Sequence, residues 1–152
     1  MAVAVQVPTR EGQHYRAADV GPWEMLGQYE LDPPLRGRGK LFLREILGLT
    51  GMEVSLNRLG AGKSVTFRHR HREHEELYIF VKGRGQFQVD GEVFDVQEGT
   101  VVRVDPAGDR VWRNHSDEPL YFVVVQARAG SLDAKRGEDG IPSEGPVVWP
   151  EA

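Results

Sequence analysis

Cysteine is absent from the 152-residue chain. Without a thiol, neither a disulfide framework nor a thiolate metal site can form. An excess of positive charge is also missing, since the formal net charge is −4 at pH 7 and the pI is near 5.7. Proteins that bind nucleic acid through their surface usually carry a basic patch. We therefore expect no nucleic-acid partner.

Long apolar runs are lacking as well. No stretch approaches the ~20 apolar residues that a membrane-spanning helix needs, so we expect no membrane partner. The first ten residues, "MAVAVQVPTR", lack the basic segment and the long apolar segment of a signal peptide. These absences predict a cytoplasmic protein.

Glycine and proline are frequent, with 18 and 9 residues, which favours many short strands joined by turns. The strand candidates are "KLFLREILG", "MEVSLNRLGAG", "SVTFRHR", "ELYIFVKG", "GQFQVDG", "EVFDV", "TVVRV", "RVWRN" and "LYFVVVQA". Between two of them, Asp90-Gly91 is predicted to form a two-residue hairpin turn, because glycine tolerates the positive φ required there. Short antiparallel strands in this number predict an all-β sandwich or barrel.

The chain divides into three parts. Residues 1–40 form an N-terminal arm, with one short strand or helical turn around residues 23–29. Residues 41–128 form the barrel. Residues 129–152 form a C-terminal tail, which is charged and rich in Gly and Pro and is predicted to be irregular. Its end, "VVWP", is apolar enough to dock on the body or on a neighbouring subunit, and a mobile tail is the alternative.

The most unusual stretch is "HRHREHEE", which runs from His69 to Glu76. His69 and His71 are two residues apart, so both imidazoles project from the same face of a strand. Glu76 begins the next predicted strand, and a tight turn would bring its carboxylate to the two imidazoles. Such a set suits Fe, Mn, Ni, Zn or Co. A solvated surface turn is the alternative.

The spacing of this stretch resembles the first motif of the cupin family: His-x-His, four residues, Glu, six residues, Gly. The residues that carry it are His69, His71, Glu76 and Gly83. The opening glycine is one residue out of place, at Gly62. Gly99 to Asn114 resembles the second motif of the family. The resemblance implies a double-stranded β-helix, or jelly-roll, barrel with a ligand site in its mouth.

Two neighbours compete with these candidate ligands. Glu75 and Glu76 face opposite sides of a strand, so one of them points inward, and the spacing to Gly83 favours Glu76. His74 would share the face of Glu76 if the strand began that early. A place in the turn is favoured for His74, which leaves it as a spare ligand.

The chain departs from the second motif at one position. In the family a histidine four residues before the asparagine usually completes the metal site, and here that position holds Arg110. The motif's Pro and Gly are one residue late, so a second alignment places Val111 there. Neither is an ordinary ligand. His115 lies on the other face of the strand and is expected to point away from the site.

Arg110 stays protonated, so an inward guanidinium needs an anion. Beside a dication at ~6 Å, with an effective dielectric of ~20, the repulsion is roughly 5 kcal/mol. Three arrangements are open. Arg110 pairs with Glu76 or Glu75 and replaces the metal, or it binds the carboxylate or phosphate of a substrate beside a three-ligand metal site. In the third, Arg110 turns outward into a surface ion pair, which is worth little.

Together the motifs predict a small-molecule-binding cupin. The resemblance implies a metal-dependent enzyme, such as an isomerase or dioxygenase, acting on a small polar or anionic substrate. The proposed metal ligands are His69, His71 and Glu76, and the proposed substrate-binding residues are Arg110, Tyr78 and Trp112. A metal-free binding or sensing module, in which Arg110 replaces the metal, is the alternative. We expect a homodimer and no organic cofactor.

Overall fold

The computed structural model describes residues 6–133 and 138–151, which are built mainly of short strands. The strands are β1 Thr9–Glu11, β2 Arg16–Ala18, β3 Lys40–Phe42, β4 Glu53–Leu59, β5 His74–Lys82, β6 Arg84–Val89, β7 Glu92–Gln97, β8 Val101–Val104, β9 Arg110–Arg113 and β10 Leu120–Arg128. A 3₁₀ helix covers Trp23–Gln28, and one helical turn, α1, covers Arg44–Leu47. Neither helix in these ranges is long and apolar enough to cross a membrane.

The barrel consists of two antiparallel sheets packed face to face. One sheet has the strand order β3-β4-β10-β5-β8, and the other has the order β7-β6-β9. Strands β1 and β2 form a separate hairpin in the N-terminal arm. Side chains from both sheets share one apolar core. This architecture confirms the predicted all-β fold, a double-stranded β-helix barrel.

Two glycines show why the chain turns where it does. The β6–β7 hairpin closes at Asp90-Gly91, where φ is 50° and 85°, as a two-residue turn of the predicted type requires. Gly83 separates β5 from β6 at a φ of 92°. A Cβ at Gly83 would collide with the carbonyl oxygen of Pro119. Glycine is therefore required seven residues after Glu76, where the first motif has it.

The apolar core fills one end of the barrel interior with aromatic rings. Tyr78 meets Phe87 edge to face at 4.8 Å between ring centroids, and Phe80 meets Phe122 at 5.3 Å. Trp112 stacks on Phe87 at 5.8 Å with an interplanar angle of 7°. The other core members are Val96, Val104, Leu120 and Val124. Such ring pairs stabilise the fold beyond the effect of the apolar area that they bury.

Strand β4 turns its apolar side away from the barrel. Leu56 packs against a second cluster, in which the N-terminal arm contributes Leu26 and Tyr29 and β3 contributes Leu41. The alternate residues, Ser55 and Asn57, are buried on the inner side. The arm therefore covers the outer face of this sheet, and β4 presents small polar side chains to the interior.

Two predicted strands are wrong in part. The strand in "KLFLREILG" ends at Phe42, and α1 follows because Leu43 and Ile46, three residues apart, both pack on the arm cluster. "SVTFRHR" makes two isolated bridges to β9 instead of a continuous ladder. A bend at Phe67, which is 56% exposed, separates the two bridges.

The tail has neither helix nor strand in its described residues, 129–133 and 138–151, as predicted. Its apolar end does not dock on the barrel. Val147, Val148 and Trp149 are all about four-fifths exposed, with values of 82, 79 and 82%. Of the arrangements considered from the sequence, the structure therefore does not show the one in which this end docks on the chain's own body.

Candidate metal centre

Three candidate ligands from two neighbouring parts of the chain converge inside the barrel. The segment that carries His69 and His71 is fastened by backbone hydrogen bonds. His69 and Arg110 exchange bonds of 3.0 and 2.9 Å, and the His71 N–H donates to the carbonyl of Pro106 at 2.9 Å. Glu76 lies on the inner face of β5. The same-side projection of residues two apart brings both imidazoles to this carboxylate.

The separations of the ligand atoms suit a metal ion. Glu76 Oε1 lies 3.3 Å from His69 Nε2 and 3.2 Å from His71 Nε2. One ligand atom from each residue lies within 4.8 Å of the others. Two ligands each about 2.1 Å from a metal, at angles of about 90–110°, are about 3.0–3.4 Å apart. The observed separations from the carboxylate fall in this range.

Glu76 is ionised throughout the ordinary pH range. Burial pushes the pKa of its carboxyl upward, but hydrogen bonds from His69 and Tyr78 and the nearby charges of His71 and Arg110 outweigh that effect. The result is a pKa of about 2, against an ordinary value of 4.5. A permanent negative charge is therefore available as a ligand to a cation.

Burial favours the neutral form of His71. Burial lowers the pKa of its imidazole, Glu76 opposes this change, and the charges of His69 and Arg110 add to it. Its Nε2 atom is buried and lies 3.2 Å from Glu76 Oε1, but it makes no hydrogen bond of good geometry among the described residues. The neutral imidazole is the form that binds a metal.

Arg110 occupies the position of the missing histidine and points inward. Its side chain is 0% exposed, and its Nε lies 3.6 Å from Glu76 Oε1. The guanidinium also donates to the backbone carbonyls of His69 at 3.3 Å and Asp105 at 3.4 Å. The outward arrangement considered from the sequence is therefore wrong. The other two arrangements both keep Arg110 beside the carboxylate.

The two residues that compete with the candidate ligands lie in different positions. Glu75 points outward and pairs with Arg103 at 2.8 Å, so the choice of Glu76 as the inward carboxylate is confirmed. His74 lies on β5 and not in the turn, because the strand begins two residues earlier than "ELYIFVKG", and His74 pairs with Arg128 of β10. Its Nδ1 lies 2.7 Å from the Gln126 amide nitrogen.

His74 therefore shares the inner side with Glu76, and its ring stacks on that of His71 at 6.2 Å. It is not part of the group of three converging ligand atoms. His115 is exposed, in agreement with its expected outward direction.

The proposed substrate-binding residues surround this group of three ligands. Tyr78 is fully buried, and its hydroxyl donates to Glu76 Oε1 at 2.8 Å. Trp112 is half-buried and lies edge-on to His69 at 6.1 Å. Tyr78 and Arg110 thus contact the carboxylate ligand, whereas Trp112 forms an apolar wall beside an imidazole.

Sequence reasoning missed the polar residues on β3 and β4, which lie toward the other edge of the sheet that carries Glu76. Lys40 of β3 pairs in register with Asn57 of β4, and its Nζ donates to Asn57 Oδ1 at 3.0 Å. The period-two alternation of β4 was visible in the sequence, but which side faced inward was not. Asn114 of the second motif has a structural task, since its amide donates to the carbonyls of Leu59, Gly60 and Glu118.

Comparisons with known proteins agree with this architecture. A family profile described as "Cupin domain" matches residues 56–126. A sugar phosphate isomerase of the cupin superfamily from Silicibacter pomeroyi is 26% identical, with a TM-score of 0.54 over 60% of each chain. An uncharacterised protein from Methanocaldococcus jannaschii is 33% identical over 60 residues. This match covers 40% of the present chain and 48%, about half, of that relative.

A cupin protein from Bacteroides fragilis provides a match over nearly the whole of its own length. It is 36% identical to this chain, with a TM-score of 0.67, and the alignment covers 76% of this chain and 98% of that one. The region that the family profile matches, residues 56–126, contains both motifs and the strands that place His69, His71 and Glu76 in the barrel. The chain belongs to the cupin superfamily.

Proposed function

We propose that the chain binds a divalent transition metal through His69, His71 and Glu76 and is an enzyme acting on a small polar or anionic molecule. The observation that carries this proposal is the convergence of one ligand atom from each of these residues to within 4.8 Å of the others. The buried Nε2 of His71 lies 3.2 Å from Glu76 Oε1 but makes no hydrogen bond of good geometry in the described ranges. Glu76 Oε1 is already engaged by His69 and Tyr78. A metal ligated by His71 would satisfy a buried nitrogen that is otherwise costly.

The types of ligand atom restrict which metals suit the site. Two imidazoles and a carboxylate suit Fe, Mn, Ni or Zn. When bound, the metal would supply Lewis-acid chemistry at the positions that three protein ligands leave open. Tyr78 holds the Glu76 carboxylate in one orientation through its 2.8 Å hydrogen bond.

A small anionic substrate fits the charges around the site. In the proposal, Arg110 favours an anion through its buried positive charge, and Trp112 supplies an apolar wall. Tyr78 acts on the substrate through Glu76. The similarity to a sugar phosphate isomerase, at 26% identity, supports a small phosphorylated or carboxylated molecule as the substrate class. An isomerase is the first reaction to test, with a dioxygenase as another.

A metal-free binding or sensing module is the second candidate function. The observation that favours it is the position of Arg110, whose Nε lies 3.6 Å from Glu76 where the family usually has a ligand. The guanidinium would then neutralise Glu76 in place of a metal. Against this, 3.6 Å exceeds a hydrogen bond, and the other two guanidinium nitrogens donate to backbone carbonyls instead.

The test is elemental analysis of untagged protein, purified without chelator and reconstituted with Fe, Mn, Ni or Zn in turn. We expect close to one metal per chain in the wild type. His71→Ala should lose the metal, and His115→Ala, which removes an exposed histidine, should retain it. Absence of metal from every reconstituted wild-type sample would reject the enzyme site in favour of the metal-free module.

The homodimer and the cytoplasmic location stay predictions from the sequence. The exposed apolar side chains of Val147, Val148 and Trp149 support a dimer, since they would lose contact with water by docking on a second copy. Light scattering at micromolar concentration should give twice the 17.0 kDa mass of one chain. A mass of one chain at that concentration would reject the dimer.

A further inference from the structure

Lys40 places a positive charge inside the barrel that the proposed metal site does not use. It begins β3, an edge strand, and it is paired in register with Asn57, whose side chain is buried on the inner face. The next residue, Leu41, points the other way and packs on the arm cluster. Strand alternation therefore directs the Lys40 side chain inward.

The contacts of Lys40 leave its charge unpaired. Its Nζ donates to Asn57 Oδ1 at 3.0 Å and lies 5.3 Å from the centroid of the Phe42 ring. In residues 6–133 and 138–151, no carboxylate lies within ion-pair distance of this ammonium. An ammonium has three N–H donors. Two of them therefore remain for a ligand.

The support for Lys40 is fixed before any ligand arrives. The Asn57 amide nitrogen donates to the Ser55 carbonyl at 3.1 Å and to the Ser55 hydroxyl at 3.0 Å. These bonds turn the Asn57 carbonyl oxygen toward the ammonium. Phe42 lies on the same inward side of β3 and is 38% exposed. Lys40 and Phe42 therefore lie at a partly exposed edge of the sheet.

The electrostatic surroundings connect Lys40 with the metal centre. Burial lowers the pKa of Lys40 to about 8, and the charges of Glu76 and Glu53 act against that shift. The ammonium thus lies within the electrostatic field of the Glu76 carboxylate but forms no ion pair with it. A desolvated cation without a paired anion is stabilised when an anionic ligand binds.

We propose that Lys40 binds the carboxylate or phosphate group of the small molecule that enters this barrel. The inference deepens the proposed function. It rests on that function because it takes the anion and the metal to bind in the same barrel interior. Lys40 on one sheet edge and the three metal ligands would contact different parts of the molecule. Lys40 would thereby select substrates that carry a charged group apart from the reacting one.

Calorimetry with inorganic phosphate and with malonate tests the assignment, on metal-loaded and on metal-free protein. Lys40→Gln removes the charge and can still donate to Asn57, and it should weaken binding of the preferred anion by about tenfold or more. Lys40→Arg should recover part of the affinity. Lys82→Met, which alters an exposed lysine on β5, should bind like the wild type.

A measurement on the wild type does not depend on folding of a variant. The acylation rate of each lysine by an amine-reactive reagent, followed by mass spectrometry, should fall at Lys40 when the anion is added. The rate at Lys82 should stay unchanged. Equal affinity of Lys40→Gln and wild type, no binding of either anion, or no protection of Lys40 would each overturn the inference.

Elemental analysis of the same samples separates the two proposals. Metal that is retained in Lys40→Gln while anion affinity falls supports both. Lys40-dependent phosphate or malonate binding in a wild type that takes no metal would leave this inference standing and reject the metal enzyme. A wild type that binds metal, and whose anion affinity does not depend on Lys40, would reject this inference and leave the metal enzyme standing.

Discussion

At one end of the barrel interior, Phe80, Phe87 and Phe122 pack ring against ring with no polar group to satisfy. At the other end of the same strands, four polar side chains gather around a single carboxylate oxygen. They are the side chains of His69, His71, Tyr78 and Arg110, which all lie within 3.6 Å of Glu76 Oε1. The apolar end is fully buried, whereas the side chains of His69 and His71 at the polar end are 29% and 24% exposed.

The difference lies in what burial demands at each end. Burial of apolar rings away from water lowers the free energy of the folded state, and the rings need no partner beyond their contacts with one another. Charged and polar groups lose hydration on burial and need a partner for each donor and acceptor. At the polar end, His71 Nε2 and Arg110 Nε have no hydrogen-bond partner among the described residues. Incomplete polar burial is one of the observations that support the proposed metal site at this end.

The largest expected effect is on stability at the apolar end. Phe122→Ala should lower the free energy of unfolding by about 4 kcal/mol, because it leaves a cavity beside the rings of Phe80 and Trp112. Denaturation by urea, followed by fluorescence, measures this change. The metal content per folded chain should remain that of the wild type. A loss below about 1 kcal/mol would mean that the aromatic end is not the stabilising one.

Acid should remove the stabilisation that the Glu76 carboxylate contributes at the polar end. The folded-state pKa of Glu76 is about 2, below its ordinary value of 4.5. Its contribution is therefore fully present above pH 4.5 and is lost as the pH falls from 4.5 toward 2. The loss should reach about 3 kcal/mol in the free energy of unfolding.

Denaturation of metal-free protein at a series of pH values measures this loss. Glu76→Gln, which cannot ionise, should show a flatter pH dependence in the same interval. Identical pH profiles for the wild type and the variant would contradict the assignment.

A smaller effect should follow from removing the hydroxyl that orients the carboxylate. Tyr78→Phe deletes the 2.8 Å bond to Glu76 and should cost about 2 kcal/mol in the free energy of unfolding. Metal affinity should weaken as well, because Glu76 would no longer be held in one orientation. Tyr121→Phe is the matched control, since Tyr121 lies outside this group, near Trp23. Equal metal affinity in both variants would rule out an orienting role.

The prediction with the smallest minimum effect concerns the position where the chain departs from its family. Arg110→His removes a positive charge beside the proposed metal site and supplies a third imidazole. Metal affinity, measured by competition with a chelator, should rise tenfold or more, which corresponds to about 1.4 kcal/mol. Unchanged or weaker affinity would show that Arg110 does not oppose the metal.

Much of the fold was predictable, because period-two alternation and turn chemistry act locally. Asp90-Gly91 has the backbone that its sequence requires, and Glu76 faces inward as its spacing to Gly83 indicates. The inward side of Arg110, Trp112 and Asn114 also follows from alternation on β9 and the residues after it.

The rest depends on tertiary contacts that no local pattern encodes. The helical turn α1 forms because Leu43 and Ile46 find the arm cluster. Lys40 was assigned to the arm, and its place inside the barrel is set by pairing with Asn57, 17 residues away. The inward position of the polar side of β4 likewise depends on the arm covering the apolar side. Sequence patterns predict two faces of a strand but not which face is covered by a distant segment.

Anomalous diffraction from crystals grown with manganese, recorded above and below the metal absorption edge, would test the central claim most directly. We expect one strong anomalous peak within bonding distance of His69 Nε2, His71 Nε2 and a Glu76 oxygen, with Arg110 turned toward the backbone carbonyls. Absence of that peak, together with a direct hydrogen bond from Arg110 to Glu76, would show that the arginine has taken the place of the metal.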